Sequence, residues 1–286
     1  MTQDWIDNFV ASTPIGPTLF RRWTAITTLS GMIGKGVWIN TYVGTIYPNL
    51  YTVLVGPPAI GKSALLHEAR KTWKRNKNLN VAPEPTTIIS LLDFMVEHNS
   101  ALATIDNPLP LLKDLANLST LNHIYDAPDA FRNKSRHSVY IVNPQLTILM
   151  AIQRKTLLDT IPEEAWNMGF TGRLLLICAV ETMEPFSIMS TSAQSNYGDL
   201  PNLLGELTWS STAKAKVELW HRQGIGSEPT QPKLQNYVAR RMLHLLKLTI
   251  TSVVSRGESL TIEDADVERA RHWLLEAEEA SASLFN

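Results

Sequence analysis

Short apolar runs alternate with amphipathic stretches along most of the chain. The runs are rich in residues that favour strands, and we predict that they form buried strands. They lie at 50–55, 101–105, 146–152 and 173–180. Apolar positions at helical spacing predict helices at 62–76, 87–98 and 109–125. Strands that alternate with helices indicate an α/β fold, in which helices cover both faces of a parallel sheet.

The pattern at the two ends of the chain is mainly helical. Near the start, we predict a helix at 17–33, a strand at 37–42 and a turn at 44–49. After polar residues at 184–200, we predict helices at 203–223, 231–255 and 262–284. Thr261 is the expected cap of the last helix, with Asp264 three residues later as an imperfect capping box. The predicted regions are an N-terminal extension at 1–45, a sheet-bearing core at 46–190 and a helical lid domain at 191–286.

Composition excludes some classes of protein. The net charge of the 286 residues is −1, so a strongly basic nucleic-acid coat is absent and any such binding must come from local patches. The single cysteine, Cys178, excludes a disulfide framework within the chain and favours a reducing compartment. No apolar stretch approaches the ~20 residues that span a bilayer. We expect a cytoplasmic protein that does not enter a membrane.

One segment carries a specific chemical motif. The residues Gly56-Pro57-Pro58-Ala59-Ile60-Gly61-Lys62-Ser63 fit the phosphate-loop pattern G-x-x-x-x-G-K-S/T in full, between a predicted strand and a predicted helix. The glycines allow bends that aim backbone N–H groups at phosphate oxygens, and the helix adds its dipole. Lys62 then reaches the β- and γ-phosphates, while Ser63 offers its hydroxyl to Mg²⁺. We predict binding of ATP and Mg²⁺ by residues 56–64, up to Ala64; the alternative is a glycine-rich turn that binds nothing.

Several segments around and beyond this loop resemble a family of phage and prokaryotic P-loop proteins related to primase–helicases. They are Ile46-Tyr47-Pro48-Asn49-Leu50-Tyr51, Ile124-Tyr125-Asp126, Asn143-Pro144-Gln145-Leu146-Thr147, Gly169-Phe170-Thr171-Gly172-Arg173 and Leu245-Leu246-Lys247-Leu248. The order of elements is also similar to AAA+ ATPases with a hairpin before the sensor strand, the group of the minichromosome-maintenance helicases. The resemblance implies an AAA+ core with a helical lid that assembles into a ring.

The resemblance implies where Mg²⁺ and the attacking water would be held. Asp106 follows a predicted strand and would bind Mg²⁺ together with Ser63. Asn107 stands where the family has a glutamate that polarises water, and an amide cannot accept a proton as a carboxylate does, which puts fast hydrolysis in doubt. Asp126 is an alternative acid. The alternative is that Asp106 has no metal role and only begins the turn Asp106-Asn107-Pro108.

The resemblance also implies three polar groups that contact the γ-phosphate. Gln153 would be the sensor after its strand, and Arg173 an arginine finger that reaches a neighbour's nucleotide, because a guanidinium is planar and permanently charged. Arg240 or Arg241 would be a second sensor from the lid, and only one of them can face the site because adjacent helical residues point about 100° apart. The alternatives are an ordinary strand-end residue, a strand-start arginine and a solvated helix face.

A basic stretch precedes the predicted sensor strand. It runs Phe131-Arg132-Asn133-Lys134-Ser135-Arg136-His137, within a polar region at 127–144 that predicts a possible hairpin. In the related helicases a hairpin at this position enters a central pore, so Arg132, Lys134 and Arg136 are candidate DNA-binding residues. Six copies around a pore would add their phosphate contacts. The alternative is a solvated charged loop.

Three functions follow as hypotheses. The first is an ATP-dependent DNA motor of a phage or mobile element, a replicative-helicase-like ring, as a hexamer, on single-stranded or forked DNA. The second is an ATP-binding assembly module or helicase loader with slow or no hydrolysis, which Asn107 motivates. The third is a P-loop kinase that acts on a small molecule.

Overall fold

A computed structural model describes residues 4–84, 86–133, 138–167, 169–179 and 203–285. In these ranges the α-helices are α1 (Trp5–Ser12), α2 (Thr18–Ile33), α3 (Lys62–Arg75), α4 (Ile88–His98), α5 (Leu109–Leu112), α6 (Leu115–Tyr125), α7 (Arg154–Thr160), α8 (Glu163–Asn167), α9 (Ser211–Gln223), α10 (Gln235–Val238), α11 (Arg241–Arg256) and α12 (Asp264–Ala282). The strands are β1 (Val37–Thr41), β2 (Gly44–Ile46), β3 (Tyr51–Val55), β4 (Ser100–Asp106), β5 (Ala130–Asn133), β6 (Val139–Val142), β7 (Gln145–Ile152), β8 (Leu174–Cys178), β9 (Gly205–Glu206), β10 (Thr208–Trp209) and β11 (Thr261–Ile262).

The centre of the fold is a parallel sheet in the order β4-β7-β3-β8. Val53 of β3 pairs with Met150 of β7 on one side and with Leu176 of β8 on the other. These strands are apolar on both faces because helices cover both faces, which explains why they read as continuous apolar runs. The α/β prediction, with a parallel sheet flanked by helices, is confirmed. Its assignment to the AAA+ class stays a prediction.

Alternating side chains of the strands enter two apolar clusters. On one face, Leu54 belongs to a cluster that includes residues of α1, α2, α3, α11 and α12, and Thr52 shares a hydrogen bond of 2.7 Å with Thr27 of α2. On the other face, Val53 and Val55 pack with α4, α5, α6 and α8. The C-terminal helices therefore share a cluster with the N-terminal ones. The proposed boundary near 190 lies outside the described residues, and the division into three regions stays a prediction.

Two parts of the sequence prediction near the ends are wrong. The predicted turn at 44–49 contains β2, which forms an antiparallel hairpin with β1. The predicted helix at 203–223 begins only at Ser211, because Ser210 caps it by accepting the Ala213 N–H, and β9 and β10 precede it. Each of these strands has only two residues, too few to show a period.

The last two predicted helices also need correction. The helix predicted at 231–255 is broken into a short 3₁₀ turn, α10 and α11. Thr261 is not a cap, because it belongs to β11 and pairs with Thr208 of β10. Glu263 caps α12 instead, in a reciprocal capping box with Asp266. None of the helices in the described ranges is long and apolar enough to cross a bilayer.

Candidate nucleotide-binding site

The phosphate loop joins β3 to α3 at the carboxyl edge of the sheet. Gly61 is the N-cap of α3 with φ +93°, a conformation that favours glycine. A Cβ on Gly56 would lie 2.9 Å from the carbonyl oxygen of Ala179, so this glycine is required by close backbone approach. Gly16 packs against the loop from the segment before α2, because a Cβ on Gly61 would meet the Gly16 Cα at 3.1 Å. The local sequence therefore produces the curled loop that the motif predicts.

Lys62 is buried inside the curl of the loop. Its Nζ donates hydrogen bonds to the carbonyl oxygens of Gly56, at 2.7 Å, and of Pro57. Burial lowers the pKa of Lys62, and nearby Asp106 acts in the opposite direction. The ammonium is thus held by two carbonyl oxygens that phosphate oxygens can replace without an unpaired charge.

A cleft of about 650 Å³ opens beside the loop. One wall is the loop and the first turn of α3, and includes Pro58, Ala59, Gly61, Lys62, Ser63 and Ala64. The opposite wall carries Asp106, the last residue of β4, then Asn107, and Gln153 after β7. These groups meet because β3, β7 and β4 are parallel neighbours whose carboxyl ends share one edge. The structure therefore brings together the loop and three of the residues that the sequence predicted for the site.

Other members of the predicted loop have different surroundings. Ile60 is buried, away from the cleft wall. Gly56 and Pro57 line a neighbouring cavity of about 370 Å³, together with Arg154 and Cys178. Burial raises the pKa of the Cys178 thiol to about 12, so it is not a reactive thiolate at neutral pH.

Ser63 and Asp106 are suited to Mg²⁺. Both side chains are exposed in the cleft, on opposite walls. A hydroxyl and a carboxylate are hard oxygen donors, and Mg²⁺ at phosphate sites keeps several waters and takes one or two protein carboxylates. The residues present therefore fit this ion together with a nucleotide.

The backbone conformation at position 107 favours asparagine. Its φ is +71°, and its backbone N–H donates to Ala151 at 3.3 Å. Asparagine tolerates this left-handed conformation better than glutamate does. The backbone at this position therefore disfavours the glutamate that the resemblance leads one to expect.

A carboxylate approaches β4 from a segment that the sequence analysis left without a role. Val81 forms a parallel bridge with Leu102, which lays this segment along the edge of β4. Glu84 then accepts a hydrogen bond of 2.7 Å from Thr104, two residues before Asp106. It also lies 3.6 Å from Arg70 of α3. A single bridged residue carries no periodic signal, so the sequence offered no means of finding this contact.

Arg173 lies at the opposite, amino edge of the sheet. It precedes Leu174, which pairs with Tyr51, the first residue of β3. Its side chain is 9% exposed and donates to Asp126 at 2.6 Å and to the carbonyl of Gly169 at 3.0 Å. In this arrangement the guanidinium is bound within its own chain. The pairing also removes Asp126 as an alternative Mg²⁺ ligand, since it lies away from the phosphate loop.

The structure places neither Arg240 nor Arg241 beside the phosphate loop, which corrects the expectation of a second sensor in the same chain. Arg240 lies 3.5 Å from Asp126 and so joins Arg173 at the amino edge. Arg241 is buried, and its guanidinium donates to both carboxylate oxygens of Glu278 at 2.8 and 2.9 Å. A bidentate pair of this kind fixes the side chain within the helical layer.

A buried polar group that the sequence did not predict lies at the amino edge. Lys247 donates to the backbone oxygen of Asn49 at 2.9 Å and to its side-chain oxygen at 2.7 Å, and lies 4.3 Å from the centre of the Tyr125 ring. Burial lowers its pKa to about 7. His244 is buried beside it, 2.9 Å from the Gly172 carbonyl, and burial lowers its pKa to about 4. The neutral imidazole therefore donates its Nε2–H to that carbonyl.

The predicted hairpin before the sensor strand is formed by β5 and β6. Arg132 is exposed and stands directly opposite Tyr140. Lys134 and Arg136 lie outside the described residues.

No family model matches the chain, and a search of curated proteins found no match.

Proposed function

We propose that this chain is a Mg²⁺-dependent P-loop ATPase that assembles into a ring and moves along DNA. The observation that carries the proposal is a single cleft that joins a complete phosphate loop to Asp106 and Gln153. A cleft of this size accommodates a nucleoside triphosphate, whose charged phosphates need many hydrogen-bond donors. The neighbouring cavity of about 370 Å³ is lined by Gly56 and Pro57 of the loop, but Lys62, Ser63 and Asp106 line the larger cleft.

Each residue of the cleft has a role in binding the substrate ATP. Backbone N–H groups of the loop and the N-terminus of α3 would bind phosphate oxygens. Lys62 would exchange its two carbonyl partners for β- and γ-phosphate oxygens. Ser63 and Asp106 would hold Mg²⁺, which, when bound, neutralises charge on the transferring phosphoryl group. Gln153 would orient the γ-phosphate or the attacking water.

The two edges of the sheet support assembly in a ring. A head-to-tail contact uses two different surfaces of one molecule and closes into a ring when the rotation permits. The cleft lies at one edge, while Arg173 and Arg240 lie together at the other. In such a ring, the two guanidiniums of one subunit would stabilise charge on the nucleotide of the next. Arg173 must first leave Asp126.

The first test is substitution of the loop lysine. Lys62→Ala should lower ATP turnover, with or without single-stranded DNA, by about 100-fold or more, because it removes the positive charge that would stabilise the transferred phosphoryl group. Lys71→Ala is the matched control, since this lysine lies exposed on the same helix. Turnover should be measured by phosphate release, and folding by thermal unfolding. Turnover that survives Lys62→Ala would contradict the assignment of the site.

The second candidate is a nucleotide-gated assembly module that hydrolyses ATP slowly or not at all. Asn107 favours it, because its amide cannot act as a base in the cleft. Turnover above roughly 1 s⁻¹ with DNA would exclude it. A ring that forms with a non-hydrolysable ATP analogue but shows no turnover would support it. If turnover is fast, Glu84→Gln tests whether that carboxylate replaces the missing glutamate.

A further inference from the structure

A third cavity, of about 320 Å³, lies at the amino edge of the sheet, away from the phosphate loop. It is bordered by the end of α2, the segment after α3, and the first residues of β4 and β7. This volume is near the lower limit for ligand pockets, so it suits a small molecule. Residues with amide or hydroxyl side chains are frequent in its lining; they are Asn78, Asn80, Ser100, Asn143, Gln145 and Thr147.

Gln145 has a buried amide without a partner. It is the first residue of β7 and only 6% exposed, and its Nε2 has no hydrogen-bond acceptor among the described residues. Its Oε1 lies 3.4 Å from the position that a Cβ on Gly34 would take, so the amide faces the end of α2 that borders the cavity. Buried polar groups are almost always hydrogen-bonded, because an unpaired one costs stability. A ligand in the cavity would supply the missing partner.

Another amide of the same cavity is satisfied within the chain. Asn80 donates from its Nδ2 to the Oγ of Ser100 at 2.9 Å and to the backbone oxygen of His98 at 3.2 Å. Ser100 is the partner of Gln145 in the register of β4 and β7, so the two amides lie close to the same residue. The lack of a partner is therefore particular to Gln145 and is not a general property of this lining.

The lining favours an uncharged ligand. Among the described residues, no aspartate or glutamate lines the cavity, and the one cation is Lys35. The Nζ of Lys35 lies 4.9 Å from the centre of the Tyr47 ring, and Tyr47 does not belong to the lining. A phosphate or an ammonium group would therefore be buried with poor charge pairing. Apolar residues complete the lining and suit the faces of a flat ring; they are Met32, Ile33, Leu79 and Leu102.

The amide of Gln145 selects the edge of such a ring. A glutamine side chain presents a donor and an acceptor side by side. The matching edge has an acceptor beside a donor, as adenine has in a ring nitrogen and its amino group, and glutamine pairs with adenine in this way. An uncharged adenine nucleoside combines this edge with flat apolar faces.

We propose that the cavity at the amino edge binds a free adenine nucleoside. The Nε2 of Gln145 donates to a ring nitrogen of the base, and its Oε1 accepts from the amino group. The site is separate from the phosphate loop, because the eight residues of β7 place the two ends of the strand roughly 25 Å apart. Nucleoside binding here requires neither ATP hydrolysis nor a ring.

The test is calorimetric titration of the full chain with adenosine and with purine riboside, which lacks the amino group. Mg²⁺ and a saturating non-hydrolysable ATP analogue keep the phosphate loop filled, and the charged triphosphate does not suit the uncharged cavity. Purine riboside should bind about tenfold more weakly than adenosine. Gln145→Leu should weaken adenosine by about tenfold or more and should abolish the difference between the two nucleosides. Gln223→Leu is the matched control, since this amide is exposed at the end of α9, and it should change nothing.

Thermal unfolding separates a binding role of Gln145 from a structural one. Gln145→Leu removes an unpaired buried amide, so the midpoint of the free chain should stay unchanged or rise. Adenosine should raise the midpoint of the unmodified chain but not that of the variant. A lower midpoint of the variant without ligand would show that the amide stabilises the fold through the chain itself, and would overturn the proposal.

Three further results would overturn the nucleoside site. Adenosine that does not bind the unmodified chain would mean that the cavity holds only water. Adenosine that binds Gln145→Leu equally well, or that is displaced by the ATP analogue, would lie elsewhere. Displacement by an oligo(dA) strand would assign the cavity to a base within a strand and not to a free nucleoside. If the analogue itself fails to bind, the proposed ATPase is contradicted, whereas the titrations of Gln145→Leu still decide whether the cavity binds adenosine.

Discussion

Two buried lysines, one at each edge of the sheet, have similar partners and different surroundings. Lys62 at the carboxyl edge donates to the carbonyls of Gly56 and Pro57, and Lys247 at the amino edge donates to both oxygens of Asn49. Burial lowers the pKa of both. Only Lys62 borders a cleft, of about 650 Å³. A lowered lysine pKa therefore does not by itself indicate a binding site. A binding site also requires that a ligand can reach the lysine and replace its hydrogen-bond partners.

The two edges also differ in how their charges are satisfied. At the carboxyl edge, Asp106 and Ser63 are exposed in the cleft. At the amino edge, Asp126 is bound by Arg173 and Arg240 of the same chain. The cluster of Arg173, Arg240 and Lys247 contains more basic groups than this one carboxylate neutralises. The charged groups at the carboxyl edge are therefore exposed in a cleft, whereas those at the amino edge are paired within the chain.

Loss of the arginine at the amino edge is the strongest test of this comparison. If Arg173 acts on a neighbour's nucleotide, Arg173→Ala should lower turnover by about 10³-fold or more. ATP affinity should change little, because the phosphate loop lies at the other edge. Arg173→Lys should fail as well, since an ammonium lacks the planar fork. Turnover and binding of a fluorescent ATP analogue are measured on the same preparations.

A mixing experiment separates this role from the ion pair with Asp126. Lys62→Ala and Arg173→Ala chains should each be inactive alone, but in rings formed from an equal mixture about one interface in four joins an intact loop to an intact arginine. Partial recovery of turnover is expected. Mixed rings that form and stay inactive would mean that Arg173 acts only within its own chain, through Asp126.

The pH dependence of stability should distinguish the two lysines. Lys247 has a pKa of about 7 in the folded chain and 10.5 as its ordinary value, so between these values the unfolded chain binds more protons. Stability should therefore rise with pH above about 7, by at most about 1.4 kcal/mol per pH unit. Burial is the main cause of this lowered pKa; attraction by Asp126 raises the pKa in part, and repulsion by Arg240 and Arg173 lowers it further. Urea unfolding from pH 7 to about 9.5 measures the slope.

Substitution of each lysine provides the comparison. Lys247→Met removes the titrating group, so the rise in stability with pH should largely disappear, although Asn49 then loses a donor. Lys62→Met should leave most of the rise. An unchanged slope in the Lys247 variant would show that other groups cause the pH dependence, and that the two edges do not differ in this respect.

Local chemistry explains which parts of the site were predictable. The phosphate loop is encoded by eight consecutive residues, and Asp106 and Gln153 lie at the carboxyl ends of parallel strands, which must meet at one edge. The contact of Arg240 with Asp126 spans 114 positions and that of Lys247 with Asn49 spans 198. Neither leaves a periodic trace. Long-range pairing of single polar groups depends on how helices pack, and the sequence pattern contains no direct record of it.

The smallest expected effect concerns the residue that the sequence analysis regarded as a defect. Asn107 adopts φ +71° at the carboxyl edge. Asn107→Glu should lower the free energy of unfolding by about 1 kcal/mol, because glutamate tolerates this conformation less well. Asn107→Gly should be near neutral. Turnover of the glutamate variant should not increase, because the backbone conformation at position 107 does not suit a glutamate that activates water. A tenfold gain in turnover at unchanged stability would contradict this explanation. It would mean that the cleft at the carboxyl edge lacks only a general base for the attacking water.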